Sequence, residues 1–211
     1  MLKIVKEIIA KANDRDYFFS VISHIYPSLD WRYKLIERAY DDAEEAFREK
    51  KRDGGSLYFE HIRATTLILM LYLRVVDYKM IIAAILHDIV EDINGWSIVR
   101  VQDRYGEDIA CLVQYMTKPS AIAGESPEDI YHSRFFQAPR NFFLIKLSDR
   151  LHNVLTLNSC TLDKRVRKIQ ETKNCYMPFA ETNQILYHEL VAAMDEVNLL
   201  EELNGSPALY H

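Results

Sequence analysis

No stretch of this 211-residue chain alternates apolar and polar side chains over a useful length. Its apolar residues recur every three or four positions instead, the spacing of a buried helix face, and that rules out most β architectures. Six glycines and six prolines are few for this length, which favours long helices over many tight turns. The chain therefore reads as all-α, a single domain over residues 1–211 with about ten helices. Its core spans about 28–203, followed by a loose tail at 204–211. A chain of this size can fill one core without dividing into two.

Along the chain, Ile4, Ile8 and Ile9 mark a short first helix, and a second runs from Tyr17 to Ile25. Ser28 is the expected cap of a long third helix that carries Leu35, Ile36, Ala39, Ala43 and Phe47 on one side and reaches Lys51. After a loop at Asp53, Gly54, Gly55 and Ser56, a helix from about 58 to 74 holds His61, and one continuous helix is expected over 78–93. Ser97 should cap the next helix, which stops at Gly106, and another covers 107–116. A polar connector follows Lys118 and Pro119 as far as Pro127. Pro127 opens a short helix, Pro139 precedes a further one, and two more fill 163–203.

A net charge of −5 argues against general nucleic-acid binding, although an anionic small molecule needs only a local cationic pocket. Lys50, Lys51 and Arg52 could supply one, whereas the basic residues at 164, 165, 167 and 168 read as a solvated helix face. Cys111, Cys160 and Cys175 are odd in number and lack CxxC spacing, which suggests free thiols in a reducing compartment. With neither a signal-peptide core nor a run long enough to span a membrane, the reading is a cytoplasmic protein.

The chemistry is concentrated at the ends of two apolar segments. Residues 80–86 are all apolar and lead into His87, Asp88, Glu91 and Asp92; residues 142–147 lead into Asp149, Arg150, His152 and Asn153. Titratable groups at the end of a buried helix need compensation, and a divalent cation suits imidazole and carboxylate together. On one helix, His87 and Glu91 lie about 40° apart, as do Asp88 and Asp92. Asp149 and Asn153 repeat the spacing, and His61 would complete a set of two imidazoles and two carboxylates. Glu91 and Asp92 then have an evident task, orienting or deprotonating water as general base. HDxxED closing one apolar helix and DRxHN closing another form a far more specific signal than a lone His-Asp pair.

These segments resemble the hydrolase domain of the RelA/SpoT homologues, a branch of the HD-domain superfamily. Further matches run in the same order: Arg52 to Tyr58 ahead of His61, then Tyr105, Gly106 and Glu107, Thr117 and Lys118, Glu171 and Thr172, Tyr176 and Pro178. The resemblance covers about residues 35–185 and implies an HD-type helical bundle. It also implies Mn²⁺-dependent removal of the 3′-pyrophosphate of guanosine tetra- and pentaphosphate, the stringent-response alarmones. By motif, the Mn²⁺ ligands are His61, His87, Asp88 and Asp149, and the pair that activates water is Glu91 and Asp92. Arg52 and Asn153 match nucleotide contacts, Lys118 is a candidate phosphate contact, and Tyr58 is a candidate base contact. Arg150 is expected to order the acids around the metal, with His152 behind the ligands rather than among them. The chain ends where longer relatives begin a synthetase domain, which suggests a stand-alone small hydrolase.

Four positions depart from the family pattern. Ile62 follows the first histidine where proline is usual, and Asp53 replaces a basic residue. Tyr115 and Met116 precede Thr117, and residues 180–184 lose two cationic side chains. Because several of these could face the nucleotide, two other readings stay open: hydrolysis of another nucleotide, such as the 2′-phosphate of NADPH, or a catalytically silent nucleotide-binding module. Thr156 is open between a ribose contact and a bond to its own helix. Trp31 and Trp96 read as packing residues, and His24, His132 and His188 as ordinary histidines.

Overall fold

The computed structural model describes residues 1–119 and 126–205, and among them every regular element is helical. Helices α1 (Leu2–Ile9), α2 (Arg15–Ile25) and α3 (Trp31–Ala46) open the chain. Asp30, not Ser28, caps α3: its Oδ1 accepts from the Arg32 amide at 2.8 Å. Ile36, Ala39, Ala43 and Phe47 are buried as the spacing required, but Trp31 is 62% exposed, its edge against Tyr78.

The loop before α4 (Tyr58–Leu67) is pinned by an isolated antiparallel bridge between Lys51 and Leu57. Gly55, at φ 84°, turns it back so that the Arg52 amide reaches the Ser56 carbonyl at 3.0 Å. A π turn, Ile68–Tyr72, continues α4.

The expected continuous helix over 78–93 is interrupted. Helix α5 (Tyr78–Ile85) ends at Leu86, and α6 (Ile89–Asp92) starts after Asp88. Leu86 and Asp88 leave helical geometry (ψ 4° and −3°), so His87 and Asp88 sit in a turn between two helices. Helices α7 (Ile98–Tyr105) and α8 (Glu107–Met116) follow, α7 capped by Ser97 and stopped at Gly106, whose φ is 93°. The central part of the polar connector, 120–125, lies outside the described residues. Helix α9 (Pro127–Ser133) is capped by Ser126.

Helix α10 (Arg140–Leu155) is the spine. It packs against α4, α5 and α8, and also against α12 (Met177–Asn183) and α13 (Tyr187–Gly205). Between them lie α11 (Leu162–Glu171) and a second π turn, Thr172–Tyr176. Three helices thus occupy the segment expected to hold two, because the π turn and a left-handed Gln184 (φ 53°) divide it. Helix α13 runs to Gly205, two residues into the expected tail; 206–211 lie outside the described residues.

Because α10 has neighbours on most sides, its charged residues are buried together with its apolar ones: Lys146, Asp149, Arg150 and His152 are each at most 8% exposed. Leu151 is fully buried on this spine. Leu151→Ala should cost about 2–5 kcal/mol, read as a lower denaturant midpoint with unchanged slope. A shift within error would contradict the packing described.

Candidate metal centre

Three elements bring their polar ends to one point: α4 delivers His61, the turn after α5 delivers His87 and Asp88, and α10 delivers Asp149. His61 Nε2 lies 3.2 Å from Asp149 Oδ1 and 3.7 Å from Asp88 Oδ2. His87 Nε2 lies 3.0 Å from Asp88 Oδ2 and 3.7 Å from Asp149 Oδ1. Donor atoms of His61, His87 and Asp88 all fall within 4.8 Å of one another.

The ring orientations suit a cation. His87 Nδ1 is 2.8 Å from the Ala84 carbonyl, which can only accept, so Nδ1 carries a proton and Nε2 faces inward. That buried Nε2 makes no hydrogen bond of good angle, although Asp88 Oδ2 lies 3.0 Å away. An orphaned nitrogen facing two carboxylates and a second imidazole fits one divalent cation. Behind His61, its Nδ1 meets His152 Nδ1 at 2.8 Å, as expected for a histidine one layer back. Burial, then the neighbouring His61 and Arg52, hold His152 well below the usual range, so it stays neutral.

The electrostatics show how far the carboxylates depend on positive charge. Burial alone would lower His87, yet Asp88 and Asp149 raise it to about 10. Burial works to raise both aspartates; His87 draws Asp88 well below the carboxylate range, and Lys146 does most to draw Asp149 down. A divalent cation would take over the role of the His87 Nε2 proton.

Several second-layer groups hold the acids. Lys146 Nζ donates to Asp149 Oδ2 at 2.9 Å, and Asn153 Nδ2 to Asp149 Oδ1 at 2.6 Å. Lys146 carried no role in the sequence reading. Its signal was available, a lysine inside an apolar run three residues before Asp149. The Tyr58 hydroxyl donates to Asp88 Oδ2 at 2.6 Å, and its ring stacks on Phe47 with centroids 5.0 Å apart. Tyr58 therefore spends its hydroxyl and one ring face on the protein itself, and it also lines the cavity beside the metal ligands.

Arg150 does not order the metal acids. It reaches Glu171 at 3.0 Å and lies over the Tyr176 ring at 3.7 Å, clamping α10 to the π turn after α11. Burial works to raise Glu171, but His132, Arg150 and Lys168 outweigh it and hold this carboxyl well below the glutamate range.

Beside the metal ligands opens a cavity of about 280 Å³. Asp88 and Asp149 are the more buried acids of its lining; the more exposed Glu91 lines it as well, with Arg52, Asn153 and Lys118. Arg52 donates to Asn153 Oδ1 at 2.8 Å and to Thr156 Oγ1 at 3.1 Å. Thr156 itself bonds its own helix, at the His152 carbonyl. Lys118 pairs with Glu91 at 3.4 Å. Asp92 is turned to Lys50 instead, at 2.7 Å, since adjacent residues of α6 point about 100° apart.

Two expectations about charge are corrected here. Lys164 and Lys168, one turn apart on α11, line the cavity, while Arg167 remains on the solvated face. The altered stretch at 180–184 does not line the cavity, whereas Asp53 does.

Two outcomes test this geometry. Tyr58→Phe should leave the fold intact and weaken divalent-cation binding about 10-fold, the usual size of a lost ligand support, as measured by calorimetry. A lowered native pKa at Glu171 means stability that is present above the unfolded value of 4.5 and lost as pH falls below it. The stability gap between the natural protein and Glu171→Gln should therefore shrink as urea midpoints are taken from about pH 6 towards pH 3; a constant gap would refute the clamp.

The family model described as "HD domain" matches residues 39–186. A guanosine-3′,5′-bis(diphosphate) 3′-pyrophosphohydrolase of Aquifex aeolicus is 37% identical over 149 residues, 69% of this chain and 21% of the relative. The bifunctional (p)ppGpp synthase/hydrolase SpoT of Escherichia coli is 29% identical over 183 residues, 84% of this chain and 24% of the relative. The chain thus spans about a fifth to a quarter of the length of the curated relatives it matches. A solved structure of a metazoan ortholog of SpoT that hydrolyses ppGpp shares the fold, with TM-score 0.66, 22% identity and coverage of 85% of this chain and 98% of that one. No described helix is long and apolar enough to cross a membrane. With a match over more than half its length and a buried histidine–aspartate cluster at the junction of its helices, the chain belongs to the HD-domain family.

Proposed function

We propose that this protein is a Mn²⁺-dependent hydrolase that removes the 3′-pyrophosphate from guanosine tetra- and pentaphosphate. The observation that carries this reading is the orphaned His87 Nε2, set among His61, Asp88 and Asp149 beside a cavity with cationic walls. The names of the relatives supply the substrate class.

His61, His87, Asp88 and Asp149 would hold the cation. When bound, it polarises a phosphoryl oxygen and lowers the pKa of water. Asn153 and Lys146 keep Asp149 ionised and in orientation, and Tyr58 does the same for Asp88. Glu91, lining the cavity beside Asp88, takes the proton of the water that attacks phosphorus. The bond from phosphorus to the ribose 3′ oxygen breaks, and the proton taken by Glu91 balances the one that this oxygen gains, directly or through solvent. Lys118 steadies Glu91 through its amide and ammonium. Asp92 acts on Glu91 only through the helix they share, its carboxylate being held by Lys50. Arg52, its guanidinium bonded to the neutral Asn153 and Thr156, remains able to receive phosphate. Three free thiols, Cys111, Cys160 and Cys175, support a reducing cytoplasmic setting.

Asp149→Ala should lose bound Mn²⁺ and turnover together, whereas Glu91→Gln should keep the metal and lose roughly 10²–10⁴ of the rate. Metal analysis beside kinetics separates the two, and full activity in Asp149→Ala would end the assignment. The substrate is tested by incubating purified protein with Mn²⁺ and guanosine tetraphosphate, pentaphosphate or NADPH. Pyrophosphate release from the guanosine nucleotides is expected; phosphate release from NADPH alone would replace this reading.

A further inference from the structure

The cations of the cavity wall are not equally available to a ligand. Lys146 is engaged by Asp149, and Arg150 and Lys168 by Glu171. At the rim, Lys164 Nζ lies 2.6 Å from Asp53 Oδ2, and Cys160 Sγ donates to the same oxygen at 3.0 Å. The side chains of Asp53 and Lys164 are 46% and 39% exposed, against 5% for Asp149. An ion pair so exposed is weak, and a phosphate offers more charge and three acceptor oxygens, so it can displace the carboxylate from the ammonium. The displaced Asp53 stays within its loop beside the newcomer and repels it.

Which part of the substrate meets this rim follows from size. A cavity of about 280 Å³ is slightly below the ~300–1,000 Å³ usual for small-molecule sites, so a nucleoside bearing two phosphorylated ends fills it and extends outward. Asp88 and Asp149 line the same cavity as Asp53 and Lys164, so a nucleotide with its scissile group at the first pair would present its other phosphorylated end to the second.

We propose that Asp53 is a specificity-determining residue: it competes with the substrate for Lys164 at the rim and disfavours an additional phosphate on the end remote from the scissile bond. Guanosine tetraphosphate is therefore preferred over pentaphosphate. The inference rests on the nucleotide hydrolysis proposed above.

The test compares natural protein, Asp53→Asn and Asp53→Asn/Lys164→Ala. In Mn²⁺, kcat/KM is measured for tetra- and pentaphosphate; in EDTA, where no turnover occurs, calorimetry gives the affinity for each. Asp53→Asn should raise the pentaphosphate-to-tetraphosphate ratio roughly fivefold, through KM and not kcat, as an exposed charge interaction allows. The double variant should return the ratio to the natural value. A ratio that stays within twofold in Asp53→Asn, or a rise that persists without Lys164, overturns the role of Asp53. If no variant turns over either nucleotide yet the affinity ratio shifts as stated, the rim selectivity stands and the hydrolytic reading falls.

Discussion

Two carboxylates buried where helices meet, Asp88 and Asp149, set the terms for the rest of this structure. Left alone, each would be driven towards its neutral form by burial. Around them the fold assembles Lys146, His61, His87, Asn153 and the Tyr58 hydroxyl, so that most carboxylate oxygens meet a donor or a ring nitrogen. Such a cluster is favourable only if the positive charge is complete, and the orphaned His87 Nε2 marks where a cation completes it.

Helix α10 shows how one segment serves several partners. Successive residues turn about 100°, so Lys146, Asp149, Arg150, His152 and Asn153 leave the helix in different directions. Asp149 reaches the metal centre, Arg150 the clamp with Glu171, His152 the back of His61, and Asn153 both Asp149 and Arg52. The apolar positions between them lock the helix in the core, which keeps these directions constant. Stability and site geometry therefore rest on the same helix.

The altered positions divide into two kinds once the fold is known. Ile62 is fully buried and fills the core beside His61, and 180–184 lie off the cavity, so neither changes its walls. Asp53 does face the cavity, but Lys164, one helix away, offsets its charge. Linear comparison registers the lost basic residue at 53 and misses the compensation, because the partner is 111 positions along the chain.

Much of this was legible in the chain itself. Helical spacing without alternation gave an all-α fold, the cap at Ser97 and the proline at 127 marked real helix starts, and acids and histidines closing apolar segments marked the centre. These are local signals, set by side-chain periodicity and by short-range hydrogen bonding to the backbone. Tertiary structure alone decided the break at Leu86, the pairing of Asp92 with Lys50, and the pairing of Arg150 with Glu171 where the metal acids were expected. The engagement of Tyr58 by Asp88 and the turning of Lys164 towards the cavity belong with them. Each depends on which distant group can neutralise a charge or fill a hydrogen bond, and spacing along a chain carries no measure of that distance.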